Sequence, residues 1–299
     1  MNQSNQQAPP TKPYSTDLLT FNTEDGVALD GALYVPRQVE PIDTAMVFIH
    51  GKTFNFYSGA SRFLPPMLAD NGITSFSINM RFHDLGYTRT DLPSPNLSEY
   101  FFRMAGGAWE KIEDGHKDLK GAVETLRTMG YNHIVLCGHS SGGFYAVDYV
   151  ARYHNVAGMI LLSPLTTNKT PLSLWFPDPT GLEATRRQAE AMVVDGRGDD
   201  LIPLPTWYHA ISASSFLDRI GEREGWFDTA LATVRIPTLW LYGSTEDRAE
   251  LWQKYYESMT IAEKQLSIID GADHGYIAYE RHVYETIKEF LNRFIVRIA

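Results

Sequence analysis

From residue 17 onward, short uninterrupted apolar runs alternate with longer segments whose apolar residues recur at helical spacing, and few folds accept a chain patterned this way. Runs that are apolar throughout belong in strands covered on both faces, so the pattern calls for a mostly parallel sheet flanked by helices. The expected class is α/β. Residues 18–22 and 27–35 flank a Glu24-Asp25-Gly26 turn and are expected to open the fold as an antiparallel hairpin. Further strands are expected at 45–50, 72–80, 133–137, 157–162, 238–242 and 265–269. Over 109–129, Ile112, Leu119, Val123 and Leu126 share one helical face ahead of Gly130. Over 283–298, Ile287, Phe290, Leu291, Phe294 and Ile295 do the same.

Between the strands ending near Ser163 and beginning near Ile236 lie about seventy residues with no strong strand signal, too long for a structureless loop in a compact domain. The expected division is a core built from 16–165 and 236–299 with a helical cap, 166–235, inserted between them. Residues 1–15, rich in Gln, Asn and Pro, are expected to be a disordered tail with no apolar signal segment. A net charge of −10 repels phosphate backbones, and no basic cluster offsets it, so nucleic acid is not an expected partner. No apolar run approaches the roughly 18 residues of a membrane span. Cys137 is the single cysteine, which excludes an intrachain disulfide and any cysteine-built metal site. The expected location is the cytoplasm, the expected partner is a small-molecule substrate, and a homo-oligomer stays open.

Gly138-His139-Ser140-Ser141-Gly142 stands directly after the run 133–137 and directly before a helix-compatible stretch. Small residues at this spacing permit a sharp strand-to-helix turn that lifts a serine hydroxyl off the sheet. Ser140 fits that register, because Ser141 would have His139 where the turn needs glycine. A serine hydroxyl attacks only when a base takes its proton, and the base needs an acid to hold it. His274, on a glycine-flanked loop after the last expected strand, is the candidate base. The candidate acid follows the run 238–242 in Gly243-Ser244-Thr245-Glu246-Asp247, and Asp247 is chosen, although Glu246 sits nearer the usual offset from the glycine and could do the same work. Two backbone amides are expected to hold an oxyanion, those of Ser141 and Lys52, with the Lys52 side chain expected to be a solvated charge.

These four segments, His50-Gly51, Gly138 to Gly142, Gly243 to Asp247 and Asp273-His274-Gly275, in this order, resemble the α/β-hydrolase superfamily over roughly residues 17 to 299. The resemblance implies a serine hydrolase working without a cofactor, with a cap shaping its pocket. Members that use an aspartate nucleophile, the dehalogenases and epoxide hydrolases, are disfavoured by Ser140. Residues 79–84 (Asn-Met-Arg-Phe-His-Asp) resemble the Asp-x-Arg-Gly-His-Gly segment of many members but lack its glycines. The expected reaction is cleavage of a carboxylic ester bearing an apolar or aromatic group. A lactonase, thioesterase, amidase or carbon–carbon bond hydrolase would use the same residues, an acyltransferase would pass the acyl group to an alcohol, and a receptor of the same fold would only bind. No metal ligand set is recognisable.

Overall fold

A computed structural model describes residues 12–37, 42–90, 102–166, 176, 178–205, 210–221 and 225–296. Its centre is an eight-stranded sheet. The strands are β1 (Tyr14–Asn22), β2 (Ala28–Pro36), β3 (Thr44–Ile49), β4 (Thr74–Ile78), β7 (His133–His139), β8 (Gly158–Leu162), β11 (Thr238–Gly243) and β12 (Lys264–Ile269), in the order β1-β2-β4-β3-β7-β8-β11-β12. β2 runs antiparallel to both β1 and β4, and every pairing from β4 to β12 is parallel. The opening hairpin is present, and it starts at Tyr14. Tyr14 and Ser15 therefore belong to a strand and not to the expected tail, of which 1–11 lie outside the described residues.

The continuous apolar runs have a plain cause. Along β3, Val47 and Ile49 join one hydrophobic cluster while Met46 and Phe48 join the other, and β7 (Ile134 and Leu136 against Val135 and Cys137) and β11 (Trp240 and Tyr242 against Leu239 and Leu241) split the same way. Successive side chains point to opposite faces, so strands buried on both faces lose the apolar-polar alternation and are apolar over most of their length. One face is covered by α1 (Ala60–Ala69) and α8 (Glu280–Phe294) through Leu64, Leu68, Ile287 and Phe290. The other is covered by α2 (Gly115–Thr128), α3 (Ser141–Tyr153), α6 (Trp226–Leu231) and α7 (Ala249–Ser258). Cys137 is buried in the core, and that burial raises its thiol pKa.

The inserted segment differs from expectation in two respects. It carries α4 (Pro179–Val194) and α5 (Ala213–Ile220), but also an antiparallel ribbon of β9 (Leu201–Pro203) and β10 (Ala210–Ser212), so it is not wholly helical. Phe176, Met192, Ile202, Ile211 and Phe216 form a small hydrophobic cluster of its own, while Trp226 and Phe227 pack into the main core. α6 thus packs with the sheet although it lies in the segment expected as cap. Trp175, Trp207 and Tyr208, further aromatic residues of the expected cap, lie outside the described residues. A second ribbon, β5 (Tyr87–Thr90) with β6 (Phe102–Ala105), was not expected from the sequence.

Because β3, β7, β8, β11 and β12 are mutually parallel, the loops that follow them gather at one edge of the sheet. Those loops carry Lys52, Ser140, Ser163, Glu246 and His274. Clefts outside the carboxyl ends of parallel strands are where α/β sheets place ligands.

Candidate active site

Ser140 joins β7 to α3 with φ 55° and ψ −119°, a conformation that costs a non-glycine residue about 1–3 kcal/mol and persists only where its surroundings enforce it. The surroundings here are close backbone. A Cβ on Gly138 would run into the backbone of Gly142, and a Cβ on Gly142 into that of Ile49 and His50, so both positions need glycine. The chain after β8 grips the turn as well: the Ser140 amide donates to the Leu162 carbonyl at 2.9 Å, and the Leu165 amide donates to the Ser140 carbonyl at 2.7 Å.

The carboxylate that meets His274 is Glu246, and the expectation of Asp247 is corrected. His274 Nδ1 lies 2.7 Å from Glu246 Oε2, and the Glu246 side chain is 8 % exposed. Asp247 points to solvent, with a side chain 96 % exposed. The reason is local. The Glu246 amide donates back to the Gly243 carbonyl at 3.2 Å, a turn that folds residue 246 over the strand end and leaves the next residue outside. Oε1 of Glu246 accepts from the Gly243 amide at 3.0 Å and from Ser163 Oγ at 2.5 Å. Burial works to raise the Glu246 pKa, but the bonds from His274 and Ser163 and the Gly243 amide outweigh it and hold the group below its ordinary 4.5. Asp273 is a loop residue whose Oδ1 accepts from the Gly275 amide at 3.0 Å.

His139, inside the same turn, ties the Ser140 turn to the His274 loop. Its Nε2 lies 2.8 Å from the His274 carbonyl and must donate to it, and the two rings stand 4.9 Å apart. Burial, with the neighbouring His274, lowers the His139 pKa to about 3, so the ring is a neutral donor at any working pH.

The loop after β3 lies against Ser140: a Cβ on Gly51 would sit 3.3 Å from Ser140 Cβ. His50 anchors this loop. Its Nε2 accepts from the Met80 amide at 3.0 Å, so its Nδ1 carries the proton and donates to the Gly51 carbonyl at 2.7 Å. The loop that carries Lys52 is thereby held beside Ser140, and Ser141 is the first residue of α3. The Lys52 side chain is not the solvated charge expected of it. It is 7 % exposed and its Nζ donates at 2.5 Å to Glu110 Oε2, an atom that also accepts from Arg219 on α5. Tyr145 on α3 donates to Glu110 Oε1. Burial and the Arg219 charge lower Lys52 to about 8 against the pull of Glu110. Burial would raise Glu110, yet Arg219 and Lys52 take it down to about 2. Sequence reasoning missed Glu110, Arg219, Tyr145, His139 and Ser163.

In the segment whose glycines are missing, Asp84 adopts φ 52°, a left-handed conformation that Asp tolerates better than most residues. Asn55 Nδ2 donates to its Oδ1 at 3.1 Å, and His83 Nδ1 lies 2.8 Å from its Oδ2.

A model of the alpha/beta hydrolase family matches residues 46–287, which include Ser140, Glu246 and His274. The chain belongs to that family. No curated protein matches the sequence closely enough to count as a relative. Solved structures of similar fold include the alpha/beta hydrolase GrgF from Penicillium sp. sh18, 16 % identical with a TM-score of 0.71 over 94 % of this chain and 99 % of that one. A hypothetical protein, PA2218, from Pseudomonas aeruginosa is 14 % identical with a TM-score of 0.72 over 99 % and 98 %. Est1E from Butyrivibrio proteoclasticus, solved with ferulic acid bound, is 16 % identical with a TM-score of 0.65 over 93 % and 99 %. Among the described residues of this hydrolase, no group of three or more His, Cys, Asp or Glu could hold a metal ion, and no helix is long and apolar enough to cross a membrane.

Proposed function

We propose that this hydrolase cleaves carboxylic esters through an acyl-enzyme. Ser140 Oγ attacks the ester carbonyl, His274 takes its proton and returns it to the leaving alcohol, and Glu246 holds the imidazole with its proton on Nδ1. The amides of Lys52 and Ser141 receive the oxyanion, and water repeats the attack on the acyl group. The observation that carries this reading is the 2.7 Å His274–Glu246 pair, tied through His139 to a serine held in a strained turn. A protein that only binds a ligand has no use for all three groups. Support for an ester comes from similar folds, since Est1E was solved with ferulic acid and another neighbour is an esterase from Pyrococcus furiosus. Thioesters, lactones and amides pass through the same intermediates, so a panel of substrates decides among them.

Intact mass spectrometry after exposure to a fluorophosphonate tests the reading. One phosphonyl adduct is expected on the parent protein, mapped to Ser140, and none on Ser140→Ala. An adduct retained by a folded Ser140→Ala would sink the assignment.

His139 offers a graded test. A glutamine at 139 can keep an N–H near the place of Nε2, whereas leucine leaves the His274 carbonyl without its donor. One lost hydrogen bond is worth about 1–1.5 kcal/mol, or roughly tenfold in rate. His139→Leu is expected to slow phosphonylation by about that factor, and His139→Gln to recover most of it. Equal rates in the two variants would show that the bond positions nothing.

A further inference from the structure

The Ser163 and Tyr276 hydroxyls make a buried chain behind Glu246. Ser163 Oγ is 2.5 Å from Glu246 Oε1 and 2.6 Å from Tyr276 Oη, and Tyr276 Oη is 3.0 Å from the Leu241 carbonyl. Proton counting fixes the direction. Glu246 is held ionised and has no proton to give, so Ser163 spends its only hydroxyl proton on Oε1. The 2.6 Å contact can then be a hydrogen bond only if Tyr276 donates. Tyr276 has one proton for two acceptors, Ser163 Oγ at 2.6 Å and the Leu241 carbonyl at 3.0 Å, which also takes the Ser163 amide at 2.8 Å, and the shorter contact takes the larger share of it. Burial raises the Tyr276 pKa well above its ordinary value, so the phenol keeps its proton. Ser163 (φ 43°) and Tyr276 (φ 57°) both hold left-handed backbone conformations, uncommon for residues of their kind, and these belong to the segments that bring the two hydroxyls together.

The geometry points to Ser163 and Tyr276 as positioning residues for the acid of the proposed triad, acting in series: Tyr276 Oη–H to Ser163 Oγ, Ser163 Oγ–H to Glu246 Oε1, and Glu246 Oε2 to His274 Nδ1–H. This rests on the hydrolase reading above. A glutamate has one more rotatable bond than an aspartate, and a carboxylate held only at Oε2 could swing away from the imidazole. Ser163 and the Gly243 amide pin Oε1 and so fix the plane of the carboxylate. Each donor bond also draws charge from the carboxylate, which sets how tightly the Glu246–His274 pair holds its proton. The same short segment places both partners of the reaction, since Leu162 and Leu165 grip the Ser140 backbone on either side of Ser163.

The test measures the second-order rate of Ser140 phosphonylation by a fluorophosphonate against pH, for the parent, Ser163→Ala, Tyr276→Phe and the double variant, with a thermal melt for each. Ser163→Ala is expected to slow the reaction about tenfold and to move the midpoint of the acid limb to higher pH, because a carboxylate with one donor fewer holds the shared proton more tightly. Tyr276→Phe, which keeps the ring, is expected to act in the same direction by a smaller factor. Since Tyr276 acts through Ser163, the double variant is expected to match Ser163→Ala alone. Unchanged rates, a slower rate with an unmoved midpoint, or additive losses in the double variant would each overturn the series arrangement. Should Ser163→Ala fail to fold, the midpoint of Tyr276→Phe decides. A parent protein that does not label at Ser140 removes the hydrolase reading and the chain with it, whereas a labelled parent with unaffected variants removes the chain alone.

Discussion

Glu246→Gln is expected to lower kcat toward an ester by about 10³ to 10⁴, while Asp247→Asn stays within about twofold of the parent. The size of the first effect follows from the hydrogen bonds on the far side of the carboxylate. Ser163 Oγ–H and the Gly243 amide both donate to Oε1, so the glutamine must place its amide oxygen there. Its NH₂ group then faces His274 Nδ1. A donor at that place forces Nδ1 to accept, the imidazole proton moves to Nε2, and Nε2 can no longer take a proton from Ser140. The protein stays folded in the wrong tautomer, so the loss appears in kcat with little change in melting temperature. Asp247 has no such role open to it, with its side chain in solvent. Steady-state kinetics on any ester found by a substrate panel checks the pair, and a larger loss in Asp247→Asn would return the acid to that position.

That pair of neighbours also shows how far the sequence could be read. The strands were legible because β3, β7 and β11 are buried on both faces and carry unbroken apolar runs through their middles. The elbow was legible because its glycines are demanded by backbone contact, a constraint that leaves a mark in sequence. The choice between Glu246 and Asp247 turns on one hydrogen bond from residue 246 back to Gly243, and both residue types suit a turn, so composition could not decide it. The offset from Gly243 was the available signal, and it favoured the residue that meets His274. The Lys52 side chain was misread for a different reason. Its partner Glu110 lies 58 residues away, and Arg219 lies 109 beyond that, so no local pattern reports that a lysine in a loop is covered by an insertion. The ribbon β9–β10 escaped notice because three-residue strands carry too few alternations to register.

The Lys52–Glu110–Arg219 cluster leads to the second large effect, on stability. Glu110 is 1 % exposed and accepts from Lys52, Arg219 and Tyr145, which come from the loop beside Ser140, from α5 and from α3. Glu110→Gln preserves shape but removes the charge that both buried cations face. Removing one partner of a buried ion pair costs about 3–5 kcal/mol, far more than the intact pair is worth, because the remaining charge stays desolvated. At roughly 2–3 °C per kcal/mol for a chain of this size, the melting temperature is expected to fall by about 6–15 °C. Lys52→Met is expected to cost much less, since Arg219 and Tyr145 still face the carboxylate. The pH dependence has a definite sign. Glu110 has a pKa lowered from 4.5 to about 2, so its contribution is complete above the unfolded value and is lost as pH falls through that interval. The gap in melting temperature between parent and Glu110→Gln should therefore narrow on acidification below about pH 4.5. A gap near zero at neutral pH would mean that water or rearranged neighbours neutralise the stranded cations. Because the Lys52 loop abuts Ser140, the same substitution should also slow phosphonylation at temperatures where the variant remains folded, and that loss separates a cluster that only stabilises from one that also holds the loop beside Ser140 in place.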